Sequence, residues 1–495
     1  MTRIRHLRFL LIAASIASSV AAAERSARDA RVFAALDRAF EAGSAIEEPH
    51  RRAQTLAEIA ATSAAAGAPA RDAIASALAA AERVPVEALR SWALHDIALA
   101  QSRARDLVAA LATAERITDV AVRDAALQAV ADAQARSSEF NAAIATALRI
   151  RGNATQGTAL RHIATMQADH GDLAGALVTG RRIVDSTVNA LALTDIAVAY
   201  AKDRDVAEAR SLAARIRNGE LRGRAFGSIA VVQMEAGDVA GAHATADRIE
   251  QDRDRARAFA RMAKAQAGFG DVEGARRLMA RATTVIGGVR ASAAWRSAVL
   301  CEIANAAIVA GEAESARASL RQAIDAANRV RQATSQGVLR GAIARLQARA
   351  GDVAGALQTT ASVPEPGSRV LILRDIAAAR AEAGDDAEAL RTARELEDPQ
   401  AESTVLLGVL GAQSRGGRIA AMRTTIESAL SAVRRVEDPE FKAGALAALA
   451  MAKEKSGDET AARALLDDAM ATAAAAREPQ RRAAAYMRIA DALRD

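Results

Sequence analysis

The amino-acid sequence predicts an all-α protein, an α-solenoid of about twelve stacked antiparallel helical hairpins. Three observations predict it: the composition, a recurring glycine-centred segment, and helical spacing of apolar residues on both sides of that segment. Of the 495 residues 51% are apolar but only 2% aromatic, so the apolar content is mostly Ala, Leu, Ile and Val. Ala, Leu, Arg and Glu are strong helix formers, and eight prolines leave long stretches without a breaker.

The recurring segment has the form Ala-x-Ala-Gly-Asp-x-x-x-Ala. It is centred on Gly171, Gly237, Gly270, Gly351, Gly384 and Gly457, with degenerate copies at Gly67, Arg105, Ser138, Arg204, Gly311 and Gly417. Seven of the eleven steps between these anchors are 33 residues, and three are 40 or 41. Eleven, eight and seven positions before an anchor stand Leu, Ile and Ala, as in Leu94, Ile97 and Ala98, or Leu160, Ile163 and Ala164. The same set recurs at Leu193, Ile196 and Ala197, and at Leu373, Ile376 and Ala377. That spacing marks one face of a helix. After the anchor a second stripe begins, for example Ala242, Thr245, Ala246 and Ile249. Each unit therefore reads as a leading helix, a tight turn and a returning helix. Glycine suits the backbone where the first helix ends, and Asp caps the second and favours its dipole.

The longer steps fit the same scheme. Seven extra residues are about two helical turns and keep the apolar face nearly in register. The closing apolar residue moves outward correspondingly, to Val330 and Val436, so those returning helices are expected to be two turns longer. Pro85, Pro364, Pro366, Pro399, Pro439 and Pro479 fall where one hairpin passes to the next, and Pro69 at the start of a returning helix.

The ends differ from the middle. Arg3, Arg5 and Arg8 precede an apolar run from Phe9 to Val20 and the small residues Ala21-Ala22-Ala23. Residues 1–23 thus have the form of a cleavable signal peptide, which implies a periplasmic or secreted protein cut after Ala23. Residues 24–50 match the repeat poorly and are expected to form an N-terminal capping helix region. Residues 51–495 form the solenoid, ending in a solitary capping helix that carries Tyr486, Ile489 and Ala490. No later apolar run is long enough to cross a membrane.

These positions resemble the tetratricopeptide repeat. Phe226, Ile229, Ala230, Gly237, Asp238 and Ala242 take the places of that family's helix, turn and second-helix residues, and similar sets recur along nearly the whole chain. The period is 33 or 40 residues where the family has about 34, and Leu or Ala mostly replaces its large aromatics. The resemblance implies a superhelix whose concave wall, lined by the leading helices, binds a protein or peptide. It places the residues ten and six before each anchor on that wall. The binding candidates are His95, Gln128, Arg161, Thr194 and Arg374 from the first column, and Asp132, Thr165, Lys264, Asn305 and Arg345 from the second.

Charge and chemistry narrow the function further. The formal charge falls from +6 to +3 once the three Arg of residues 1–23 leave, and acids are interspersed with bases, so no nucleic-acid footprint is expected. The single cysteine, Cys301, excludes an intramolecular disulfide and a Cys-based zinc site and reads as a small buried side chain. The chain has no zinc-protease, nucleotide-binding or serine-hydrolase motif. The five His outside residues 1–23 show no ligand spacing, so neither metal nor cofactor is expected. The leading reading is a non-catalytic exported scaffold. The alternatives are an envelope enzyme with an unrecognised site and a structural component of a larger exported assembly.

Two columns carry finer expectations. Nine before the anchor stand Glu58, Asp96, His162, Asp195, Arg261, Glu302, Asp375 and Arg488, which should form a polar ladder between repeats with His162 beside Asp195 and Arg261 beside Glu302. Eight past the anchor, Thr113, Thr146, Thr179, Thr245, Thr359, Thr392 and Thr425 should bond preceding backbone carbonyls. Trp92 and Trp295 should pack rather than bind.

Overall fold

A computed structural model describes residues 26–494. The signal-peptide expectation for residues 1–23 lies outside the described residues. Among those described there are 26 helices and no strand.

The first helix, α1, spans 26–44. Eight helices follow in leading and returning pairs: α2 (Pro49–Ala65) with α3 (Arg71–Glu82), α4 (Glu87–Arg103) with α5 (Leu107–Glu115), α6 (Val120–Arg136) with α7 (Phe140–Ala147), and α8 (Asn153–Asp169) with α9 (Leu173–Gly180). The middle pairs are α10 (Ser186–Lys202) and α11 (Val206–Ala214), α12 (Gly219–Glu235) and α13 (Val239–Ala246), α14 (Asp252–Gly268) and α15 (Val272–Gly288), and α16 (Ala293–Val309) and α17 (Ala313–Asn328). The last are α18 (Ala333–Arg349) and α19 (Val353–Ala361), α20 (Pro366–Glu382) and α21 (Asp386–Arg394), α22 (Pro399–Arg415) and α23 (Ile419–Arg434), and α24 (Pro439–Lys455) and α25 (Glu459–Ala474), before a final α26 (Pro479–Arg494).

The chain forms two compact units. One holds α1–α5, the starts of α6 and α22, and α23–α26. The other holds the rest of α6, α7–α21 and the rest of α22. Within each, a leading helix packs on its returning helix and on the neighbouring leading helices. The fold is a series of antiparallel helical hairpins.

Every anchor has the backbone conformation that the sequence predicts. All twelve anchors have positive φ, from 62° at Arg105 and Ser138 to 89° at Gly384. Asp172, Asp238, Asp271, Asp352 and Asp458 each accept a backbone N–H from three residues on, capping the returning helix. Asp385 makes no such side-chain bond. The leading helices α2 to α24 are all 17 residues long; α17 and α23 reach 16 where α9 and α13 have 8, so the long steps do lengthen the returning helix. Pro366, Pro399, Pro439 and Pro479 each open a leading helix, where a missing N–H costs nothing.

The Ile and Ala columns point inward: Ile97, Ile163, Ile196, Ile229 and Ile376 are fully buried, with Ala98, Ala164, Ala197, Ala230 and Ala377 beside them. The Thr column is buried too, but its partners differ from expectation. Thr179, Thr245 and Thr359 donate to the side-chain oxygens of Gln167, Gln233 and Gln347 across the hairpin. Each Gln in turn donates to the capping Asp of its turn, at Asp172, Asp238 and Asp352. Only Thr245, Thr392 and Thr425 reach a preceding carbonyl. A buried amide needs both ends satisfied, and only the returning helix offers a hydroxyl. Hydrogen bonds from Gln233 and the Gly241 amide hold the Asp238 carboxyl below its usual range. This stabilisation is present above the ordinary carboxylate range and is lost as pH falls through the lowered native value.

The left-handed anchors give a direct test. A side chain in this conformation costs about 1–2 kcal/mol that glycine avoids. Arg204→Gly should therefore raise the unfolding free energy measured in urea by about 1 kcal/mol. A loss of stability would mean that Arg204 earns its place by contacts and not by default.

Candidate functional site

Stacking of leading helices sets their polar columns beside one another and decides which charges pair. In the second unit, Arg161 on α8 donates to Asp195 on α10 at 2.7 Å, and the Thr165 hydroxyl lies 3.4 Å from the same carboxylate. The expected His162–Asp195 pair does not form; His162 turns back to Asp132 on α6, 3.3 Å away. That hydrogen bond raises the His162 pKa. Glu302 on α16 likewise pairs with Arg257 at 3.3 Å and not with Arg261. Arg257 lies one turn earlier on α14 than Arg261, so contacts between leading helices run diagonally and not along one column. Asp375 takes Arg374 at 3.0 Å and Arg345 at 3.9 Å.

None of the ten binding candidates is buried. Arg161 and Thr194 line one cavity of about 390 Å³, and Lys264 and Asn305 line a second of about 560 Å³. The two cavities share Arg261 and Glu302 and so form one continuous groove over α8–α16. Thr165 and Asp132 adjoin its α8 end through the bonds given above. Arg345 lines a separate cavity against α20, and Gln128 is half-buried on α6. His95 belongs to the other unit, where its ring bonds Asp96 at 3.0 Å and meets the edge of Trp92 at 5.5 Å. Trp92 itself is exposed rather than packed, whereas Trp295 does pack on the core.

The groove contains residues outside the two predicted columns. Asp254, near the start of α14, is only 7% exposed, and its Oδ2 has no hydrogen-bond partner. Gly223 on α12 makes room for it: a methyl there would sit 2.8 Å from that oxygen. Glu302 Oε2 and Arg257 Nε also lack hydrogen-bond partners. Burial raises the pKa of both carboxyls, against the opposing pull of nearby arginines. Arg224, Arg261 and Lys264 have no ion-pair partner among the described residues. At the far end Val231, Phe269 and Val309 form an apolar shelf, with Phe269 67% exposed. The groove thus combines cations without ion-pair partners, carboxylate oxygens short of donors and an apolar step. The uncommon Asp at the start of α14 could have signalled Asp254 in the sequence; the apolar shelf comes from unrelated positions and carries no pattern.

Cys301 beside the groove is buried in the core cluster, and burial pushes its thiol up to about 12.

The hairpin geometry defines an α-helical-repeat protein. Solved structures similar to the chain include a kinesin-light-chain-like array of nearly identical TPR-like repeats from Podosopora anserina, with 18% identity, 46% of this chain and 97% of that one covered, and a TM-score of 0.26. Ton1535 from Thermococcus onnurineus NA1 shows 17% identity over 69% of this chain and 94% of its own, with a TM-score of 0.27. The Naa15/Naa10 assembly bound to HypK-THB shows 16% identity over 86% of this chain and 77% of that one, with a TM-score of 0.32. No family model and no curated protein matches the chain.

Asp254 supplies the site's test. A carboxyl raised by burial stabilises the fold below its ordinary titration range and loses that contribution as pH rises through the raised native value. Asp254→Asn should therefore melt higher than the parent at pH 7 and equally at pH 3. Equal melting at both values would show that the carboxylate is not paying for its burial.

Proposed function

We propose that the protein is an exported, non-catalytic scaffold that holds a protein or peptide partner in the groove over α8–α16. The observation that carries this reading is the groove's unmatched polarity: Arg224, Arg261 and Lys264 form no ion pair among the described residues, and Asp254 Oδ2 and Glu302 Oε2 lack hydrogen-bond donors. A surface meant only for solvent gains nothing from a buried carboxylate without a donor, because desolvating it costs about 1–3 kcal/mol or more. A partner's backbone amides and charged side chains would supply what is missing. Export rests on the basic, apolar and small-residue succession of residues 1–23.

The test is affinity capture from the envelope of cells that make the protein, comparing the parent chain with an Arg261→Glu, Lys264→Glu double variant. The parent should bring down a reproducible partner that the variant loses while melting at the same temperature, and the recovered chain should begin at Glu24. Retention of the partner by the variant moves the binding face elsewhere, and a chain beginning at Met1 rejects export.

A further inference from the structure

The first and last helices each lack a companion in sequence. Among the described residues, no returning helix follows α26 and no leading helix precedes α1. Yet both are buried as though paired. Tyr486, Ile489 and Ala490 of α26 are as inaccessible as Leu446, Leu449 and Ala450 of α24, the residues forty positions earlier whose hairpin is complete. In α1 and just beyond it, Val32, Leu36, Ala39, Gly43 and Ile46 are buried. Their spacing is that of Met422, Ile426, Ala429, Val433 and Val436 of the long returning helix α23. By its register α1 is a returning helix of the long kind.

Within the first unit these two helices share the same neighbours, α2 and α24. α26 packs on α24, as any leading helix packs on the one before, and also on α2. Arg488 of α26 reaches Glu440 of α24 at 3.1 Å and lies beside Glu58 of α2, which occupies the same column one hairpin on. Thr62 of α2 meets Met487 at 3.9 Å. α1 lies on α2, where a methyl on Gly43 would come within 2.8 Å of Ile59. It also returns to the C-terminal hairpin through Arg31, 3.4 Å from Glu454 of α24. The leading helices therefore run α24, α26, α2, α4 without a break.

We infer that α26 and α1 are the two halves of one hairpin, so that the ends of the chain are clasped together and neither is an independent cap. The register agrees to the residue. If Ser26 followed Asp495 directly, Ala27 would stand eleven after Tyr486 and five before Val32. Gly457 stands in the same relation to Leu446 and Ala462. In register Ala27 thus falls at the anchor's position, although with no covalent turn there it lies within α1. The clasp makes the C-terminal hairpins depend on the N-terminal helix more than 400 residues away in sequence.

Hydrogen exchange of the full chain tests this. Ala39→Asp puts an unpartnered carboxylate on the buried face of α1 and should release that helix. Exchange should then quicken about tenfold or more in α26 as well as in α2. Acceleration confined to α2 and α3 would overturn the clasp and leave α1 as an N-terminal cap. Should that variant fail to fold, a circular permutant decides: Asp495 joined to Ser26, Ala27→Gly at the new turn, and new ends opened between Pro85 and Val86. It should melt cooperatively at or above the parent temperature, whereas a permutant without a cooperative transition would overturn the inference.

Discussion

Alanine at the helix contacts is the constraint on which the rest of this structure depends. Ala164, Ala197, Ala230 and Ala263 recur at the same position of successive leading helices, and none is accessible to solvent. A methyl group is the whole side chain there, so backbones approach closely and neighbouring helices touch along their length. The seam between α12 and α14 shows how little space remains, since a methyl on Gly227 would lie 3.3 Å from the Ala258 side chain. Phe226 and Phe259 are buried beside this seam in the position that Leu takes in other repeats. Each helix buries little apolar area on one side and must be flanked on both, so the stack is stable only as a series.

The turns answer the same constraint. Close helices need a short connection, and a single left-handed residue followed by a capping Asp provides it. This was legible in the sequence because it repeats: all twelve anchors, including Arg105, Ser138 and Arg204 where glycine is absent, adopt the conformation that the Gly-Asp copies implied. Helix lengths were legible for the same reason, as the displaced Val330 and Val436 foretold the longer α17 and α23. Cross-hairpin chemistry was not. The Gln233–Thr245 bond joins residues twelve apart on opposite helices, and each looked self-sufficient in its own column. His162 was matched to the wrong acid because column counting ignores the diagonal along which stacked helices meet.

The seams leave outside a face over α8–α16 on which charged and polar side chains stand beside the Val231, Phe269 and Val309 shelf. Two of the predicted positions, Arg161 and Thr194, line the first cavity, and Lys264 and Asn305 the second. The groove's defining residues, Asp254 and Gly223, lie on neither predicted column. They depend on one helix carrying an acid where its neighbour has no side chain, a coincidence of two repeats that periodicity averages away.

The most direct measurement of the seam is the stability of an enlarged alanine. Ala230, fully buried between helices, is replaced by leucine and the unfolding free energy is measured in urea. The close-seam account predicts a loss of about 1–3 kcal/mol, the usual penalty of overpacking a filled interior. A variant as stable as the parent, or more so, would show slack between the helices and contradict it.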